Sequence, residues 1–168
     1  VYGPAIDTKI ITAATPIDDT PVSNEILTKY GYNGVVPQNH DGAIDGFITA
    51  REASAYSKNL TAIKTVEKIG IETAIEEGEK AGLHYSADSH TISATATGQF
   101  YQPIEDRDGG NTTILASAFG SLGNNGERIE PIFYTKVEDS RGNIILEKKA
   151  TSVKLFSPQT AYRMYDIL

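Results

Sequence analysis

The residues whose types and spacing can do chemistry in this chain lie between Thr49 and Lys64. There, Ser57 and Asn59 place a hydroxyl and a carboxamide two residues apart. A hydroxyl both donates and accepts a hydrogen bond, and an asparagine side chain offers a carbonyl oxygen and an NH₂ group. Packing alone gives little reason for two such groups on one short turn. The pair is therefore a candidate for binding a polar ligand.

The surrounding pattern predicts a helix, a break at Ser57-Lys58-Asn59, and a second helix. Thr49 and Glu52 have the spacing of a capping box, which starts the first helix. Asn is a poor residue inside a helix because its side chain competes for backbone hydrogen bonds. After the break, apolar residues recur at helical spacing and Gly70 supplies a stop. These apolar residues are Ala62, Ile63, Val66 and Ile69.

A helix–helix corner lets Ser57 and Asn59 point the same way, which two residues at this spacing in a continuous helix do not do. We expect Lys58, between them, to point to solvent and to take no part in a site. The alternative is an ordinary interhelical turn, since Ser and Asn are common in turns. On the local sequence alone, that alternative is the favoured interpretation.

Composition narrows the class of protein. The chain has 168 residues, 39% of them hydrophobic and 22% charged, which favours a folded domain or part of one. A net charge of −7 without a basic cluster argues against binding of nucleic acid.

Cysteine is absent, and His40, His84 and His90 lack metal-ligand spacing, so we expect no metal and no cofactor. Asp18-Asp19 is expected to lie on a solvated face. No apolar run approaches the ~18 residues that span a bilayer.

The remaining pattern predicts an α+β chain that is mostly helix and loop, with one β-hairpin. Residues 1–46 look loop-rich, residues 47–82 are predicted to form three short helices, and Thr91–Phe100 is predicted to be a strand or a loop. Thr112 or Thr113 should cap a helix that ends at Gly123–Gly126. The hairpin should pair Pro131–Val137 with Ile144–Glu147. Ser157-Pro158 should open the last helix.

Four ordered segments of the chain resemble one known family. Thr49-x-Arg-Glu-Ala-x-x-x-Ser-x-Asn-x-x-Ala-x-Lys64 is similar to the region around the Ser-x-Asn motif of penicillin-binding transpeptidase domains, most of all those of the class A bifunctional enzymes. The segment VYGPAID at the start resembles the stretch that follows that family's Ser-x-x-Lys helix. LASAFGSLGNNG and FSPQTAY resemble two helices that precede its Lys-Thr-Gly strand. Together the four matches favour the functional interpretation of Ser57 and Asn59.

The resemblance implies the penicillin-binding and serine β-lactamase-like fold, with residues 1–168 forming part of one transpeptidase domain. The 168 residues contain no Ser-x-x-Lys and no Lys-Thr-Gly or Lys-Ser-Gly. Residue 1 is Val, and Leu168 falls inside a predicted helix. We therefore expect a segment of a longer polypeptide, with the nucleophile before Val1 and the Lys-Thr-Gly strand after Leu168. The segment alone is expected to be inactive.

The family's reaction is acyl transfer through a serine ester, in which peptidoglycan stem peptides ending in D-Ala-D-Ala are cross-linked and β-lactams react instead of substrate. The resemblance implies that Ser57 relays a proton and that Asn59 binds substrate. It also implies an extracytoplasmic location, membrane anchoring through another segment, and contact with the remainder of the polypeptide. Two alternatives stay open: a non-catalytic relative that binds penicillin or peptidoglycan, and a serine β-lactamase.

Overall fold

The computed structural model describes residues 1–31, 36–86, 91–100 and 107–168. These residues form a mixed structure dominated by helices, as predicted. The helices are α1 (Tyr2–Asp7), α2 (Asn24–Lys29), α3 (Ala50–Ala55), α4 (Asn59–Ile69), α5 (Ile71–Lys80), α6 (Ile92–Thr97), α7 (Thr112–Gly123) and α8 (Pro158–Ile167). The strands are β1 (Pro16–Asp18), β2 (Phe47–Thr49), β3 (Glu127–Ile129), β4 (Lys136–Glu138), β5 (Ile144–Glu147) and β6 (Ser152–Lys154).

Side-chain caps set where several helices begin. The predicted capping box is present at α3, where Thr49 Oγ1 accepts from Glu52 N and the Glu52 carboxylate accepts from Thr49 N. Ser157 caps α8, with Pro158 in its first turn, also as predicted. The predicted N-cap of α7, Thr112 or Thr113, was wrong by one or two residues. Asn111 takes that role, because its Oδ1 accepts from Ile114 N at 2.9 Å and Asn is a better cap than Thr.

The strands depart further from the sequence predictions. The hairpin exists as β4 and β5 around the predicted turn, but the strand expected from Pro131 begins only at Lys136. Besides this one hairpin, the structure has two antiparallel strand pairs that the sequence did not predict, β1 with β2 and β3 with β6. Each of these strands has three residues, too few to show an alternating pattern, and each pairs across more than twenty residues of sequence.

The segment predicted as strand or loop at Thr91–Phe100 forms helix α6 instead. Thr91 Oγ1 caps it by accepting from Ala94 N, and Gly98, in a left-handed conformation, ends it. Ile92 is fully buried where α6 packs against α4. Tertiary packing and good caps thus override the strand preference of the Thr residues.

Helix α4 is the centre of the hydrophobic core. Its Ile63 and Val66 are fully buried, and the helix packs against α1, α5, α6 and β1. Burial of such side chains contributes roughly 1.5–3 kcal/mol each. The first turn of α4, where Asn59 lies, is therefore held by a well-packed helix. In the part of the chain that the structure describes, no helix has both the length and the apolar character needed to cross a membrane.

Candidate active site

The corner between α3 and α4 turns on a single residue of unusual backbone conformation. Ser57 has a φ of +52°, in the left-handed region that non-glycine residues rarely occupy. Ser57 N donates to Ser54 O and Lys58 N donates to Ala53 O, which closes the turn. Helix α4 then begins at Asn59 itself. The break between the helices is therefore at Tyr56–Lys58, one residue earlier than predicted.

The corner places Ser57 and Asn59 on the same cavity, as the sequence predicts for this pair. This corner cavity measures about 280 Å³. Its lining comprises Val1, Tyr2, Ala53, Ser54, Ser57, Lys58, Asn59, Ala62, Ala96 and Thr97. Among the described residues, neither the Ser57 hydroxyl nor Asn59 Oδ1 has a hydrogen-bond partner. Both groups are thus available to a ligand in this cavity.

Asn59 also lines a second, larger cavity of about 550 Å³. This loop cavity lies between the loop of residues 36–40 and helix α6, and its wall is largely polar: Val36, Pro37, Gln38, His40, Asn59, Ser93, Thr97 and Gln99. Asn59 Nδ2 donates to Gln38 O at 2.8 Å. Because the partner is a carbonyl, the group that faces it must be the nitrogen, so the orientation of the carboxamide is defined. His40 also borders this cavity.

Lys58 does not point to solvent, so that prediction was wrong. Its side chain is 2% exposed, and Nζ lies 2.5 Å from Asp45 Oδ2, 2.9 Å from Asp41 Oδ2 and 3.8 Å from Asp19 Oδ2. Hydrogen bonds to Asp45 and Asp41 raise the pKa of the Lys58 ammonium above its ordinary value, against the opposing effect of burial. The same contact to Lys58 is the main cause that lowers the pKa of Asp41. Burial of the lysine is tolerated because three carboxylates surround it.

Asp19 was also expected on a solvated face, and this too was wrong, since it is fully buried. Asn39 Nδ2 donates to both of its carboxylate oxygens, at 2.8 and 2.9 Å, and Asp45 N donates to Oδ2 at 3.2 Å. The other end of the Asn39 side chain accepts from Leu60 N at 3.2 Å, in the first turn of α4. Asn39 therefore connects the buried carboxylate to the helix that carries Asn59.

A second chain of hydrogen bonds joins helix α1 to the corner. Thr61 Oγ1 donates to Lys58 O at 2.9 Å, so the 3.0 Å contact between Tyr2 OH and Thr61 Oγ1 must have Tyr2 as its donor. Burial is the main cause that raises the pKa of the Tyr2 phenol. Tyr2, the residue next to Val1, is thereby held at the first turn of α4, and it lines the same cavity as Ser57.

Sequence reasoning singled out Ser57 and Asn59 but missed Lys58, Asp19, Asn39 and Tyr2. The signal that was available is the density of Asp and Asn in residues 36–46, a polar loop that needs a compensating charge. His84 is exposed on the β-bridge to Gly109. His90 lies outside the described residues. Within those residues, no group of three His, Cys, Asp or Glu side chains is arranged to hold a metal ion.

Comparison with known proteins gives a consistent family. The model of the penicillin binding protein transpeptidase domain matches residues 1–168. The chain is 46% identical over 169 residues to penicillin-binding protein 1A of Clostridium perfringens strain 13, covering all of this chain and 25% of that protein. It is 42% identical over 171 residues to penicillin-binding protein 1A of Clostridium acetobutylicum, covering 20% of that protein. The chain thus spans about a quarter or less of the length of these relatives.

Solved structures agree on the fold. The D,D-transpeptidase domain of a peptidoglycan glycosyltransferase from Eggerthella lenta superimposes with a TM-score of 0.72 at 17% identity, over 99% of this chain and 45% of that one. Penicillin-binding protein 1A of Haemophilus influenzae gives 0.72 at 19% identity, over 99% and 28%. The predicted fold class is confirmed. By the match of the family model over its whole length and by its relatives, the chain belongs to the penicillin-binding protein transpeptidase domain family.

Proposed function

We propose that this chain is the part of a D,D-transpeptidase that carries the proton relay and the substrate anchor of the active site. The observation that carries the proposal is the α3–α4 corner, where Ser57 and Asn59 line one cavity and where the Ser57 hydroxyl and Asn59 Oδ1 have no hydrogen-bond partner among the described residues. A left-handed residue at this point is backbone strain of the kind that clusters at functional sites. Membership of the family makes peptidoglycan cross-linking the corresponding reaction.

The chemistry assigns a separate task to each group. A serine nucleophile attacks the carbonyl carbon of the D-Ala-D-Ala bond, an acyl ester forms, and the departing D-alanine amine takes up a proton. Ser57 relays that proton, because a hydroxyl can give one proton while it receives another. Asn59 binds the stem-peptide backbone through Oδ1, while its Nδ2 stays on Gln38 O. A second stem's amine then takes the acyl group from the ester.

The nucleophile must come from a Ser-x-x-Lys segment, which these 168 residues do not contain. We propose that the same polypeptide supplies it before Val1 and supplies the Lys-Thr-Gly strand after Leu168, so that residues 1–168 form part of one domain. Val1 lines the corner cavity beside Ser57, which supports this order. The chain alone would then not form an acyl-enzyme. The proposal places the whole protein outside the cytoplasm, anchored to the membrane by another segment, with β-lactams as inhibitors.

The test uses the full-length polypeptide and the rate of labelling by a fluorescent penicillin. Asn59→Ala should lower this rate about 100-fold, the cost of removing one positioned hydrogen-bonding group from a reaction centre. Asn24→Ala is the matched control, because Asn24 is likewise the first residue of a helix but lies on exposed α2. Equal rates for Asn59→Ala and the wild type would exclude the role assigned to Asn59.

Two further measurements on the same protein separate the functional classes. Release of D-alanine from a stem pentapeptide, with transfer to an added amine, supports the transpeptidase. Penicillin labelling without D-alanine release would indicate a binding relative. Rapid disappearance of the penicilloyl adduct from the intact mass would indicate a β-lactamase.

A further inference from the structure

The loop of residues 36–46 has little apolar packing to hold it in place. Asn39 is its only buried residue, and Val36 and Ile44 are more than half exposed. Yet this loop supplies Gln38 O, the group that fixes the carboxamide of Asn59. A loop without a hydrophobic anchor needs polar contacts to keep one position.

Those contacts converge on Lys58. Two carboxylates of the loop, Asp41 and Asp45, reach Nζ directly at 2.9 and 2.5 Å. The third carboxylate, Asp19, directly follows β1 and holds the loop through Asn39 and the Asp45 backbone. Among the described residues, Lys58 is the only cation within salt-bridge distance of any of the three. Without it, three negative charges would face one another, one of them buried.

Lys58 is also the residue immediately before Asn59, so the same turn fixes both side chains. Lys58 binds the loop through Asp41 and Asp45, and Gln38 O of the same loop accepts from Asn59 Nδ2. If the loop moved away, the carboxamide would lose its partner and could rotate or flip. Oδ1 would then no longer be held toward the cavity.

We propose that Lys58 is a positioning residue, which clamps the 36–46 loop so that Asn59 presents Oδ1 to the ligand. It rests on the proposed function of Asn59, and it assigns to Lys58 no contact with the reacting atoms. A charge at this position is needed for geometry and not for proton transfer.

The test is a double-mutant cycle in the full-length protein, read as the rate of acylation by fluorescent penicillin. Lys58→Met, which keeps length and removes charge, should lower the rate about 10-fold to 100-fold, as expected when a binding group is misplaced by roughly 1 Å. In an Asn59→Ala background the same change should lower it less than about 3-fold, because its target is gone. Lys58→Arg should restore most of the rate. Lys64→Met, at the next lysine along the chain, which is also paired with an aspartate, should stay close to the wild-type rate.

Several outcomes would overturn the proposal. A Lys58→Met loss that is equal in both backgrounds would show a general structural role, and an unchanged rate would show none. An equal loss of acylation rate in Lys64→Met would show that the effect is not specific to Lys58. A wild-type protein that takes up no penicillin would overturn the proposed function itself, which distinguishes the two failures.

A milder variant keeps the test decisive if Lys58→Met does not fold. Asp45→Asn removes one half-exposed partner and leaves no unpaired buried charge. It should lower the acylation rate in the wild-type background and leave it unchanged in the Asn59→Ala background. Equal effects in the two backgrounds would contradict the clamp.

Discussion

Two lysines, Lys58 just before helix α4 and Lys64 within it, each lie close to an aspartate but in different surroundings. Lys64 pairs with Asp18 at 2.8 Å, and Lys58 lies 3.8 Å from the neighbouring Asp19. Adjacent side chains at the end of a strand point to opposite sides, so the two aspartates face different environments. The Lys64 side chain is 14% exposed and also donates to Thr20 O at 2.7 Å. The Lys58 side chain is buried and depends on three carboxylates.

The difference separates a stabilising contact from a positioning one. The Lys64 region links β1 to α4, and water can complete the solvation of its charges, so its ion pair adds little stability. In the Lys58 region, desolvation opposes the attraction, and buried ion pairs are weak evidence for stability. What the buried cluster adds is a defined position for the 36–46 loop. We therefore expect substitutions near Lys58 to affect the site, and equivalent ones near Lys64 to affect stability slightly.

The largest stability effect should come from Asn39→Ala. This change removes two hydrogen bonds from the buried Asp19 carboxylate and one from Leu60 N. We expect the free energy of unfolding to fall by about 3 kcal/mol, since a buried charged group loses two of its hydrogen bonds and a buried backbone N–H is left without a partner. Thr20→Ala, which removes a hydroxyl from the Lys64 region, should cost about 0.5 kcal/mol because that site is exposed.

Urea unfolding of the full-length protein measures both changes. Similar losses in the free energy of unfolding for Asn39→Ala and Thr20→Ala would contradict the distinction between the two regions.

A smaller effect should appear in the dependence of stability on pH. Hydrogen bonds to lysine lower the pKa of Asp41 and of Asp18, so each contributes stability that is present above the ordinary carboxyl range and lost as pH falls through the folded pKa. Lys58→Met removes the hydrogen bond that is the main cause of the lowered pKa of Asp41, so the variant lacks this pH-dependent part of the stability. Its stability deficit relative to wild type should shrink as pH falls below about 5, toward the ordinary pKa of Asp.

The corresponding deficit of Lys64→Met should shrink less, because Asp18 keeps its contacts with Thr20. Thermal unfolding at several pH values tests this contrast. Parallel pH curves for Lys58→Met and wild type would argue against the charged cluster.

The sequence allowed the corner to be predicted because its signals are local. The capping box of α3, the preference of Asn59 for a helix end and the apolar repeat of α4 all act within a few residues. The family resemblance suggested the roles that we propose for Ser57 and Asn59. The burial of Lys58 could not be predicted in this way, since its partners are 13 to 39 residues away in sequence: Asp19, Asp41 and Asp45.

Helix α6 and the short strands were not predicted because they too depend on contacts between residues distant in sequence. The Thr residues of α6 favour a strand when taken alone, and packing of the helix against α4, with Ile92 buried, adds to its end caps in favouring a helix. In β1–β2 and β3–β6, pairing depends on partners distant in sequence. Contacts of that kind leave no periodic pattern in the sequence.

The smallest effect concerns the turn that directs Lys58 inward. A left-handed conformation costs a non-glycine residue about 1–2 kcal/mol, and Ser57 bears that cost. Ser57→Gly removes it but adds about 0.5–1 kcal/mol of unfolded-chain entropy, so the free energy of unfolding should rise by at most about 1.5 kcal/mol. Penicillin labelling should nevertheless fall, because the hydroxyl is lost.

Asn125, with a φ of +53°, provides the matched control for Ser57→Gly. Asn125→Gly should give a comparable or smaller gain in stability, since Asn tolerates this conformation better than Ser, and labelling should not change. Ser57→Ala should lower labelling like Ser57→Gly but bring no gain in stability, because the strain remains. Full labelling of Ser57→Gly would refute the proton relay. A stable but poorly labelled Ser57→Gly would show that the strained serine is retained for its hydroxyl, and that the corner holds both Lys58 and the reacting group at a cost to the fold.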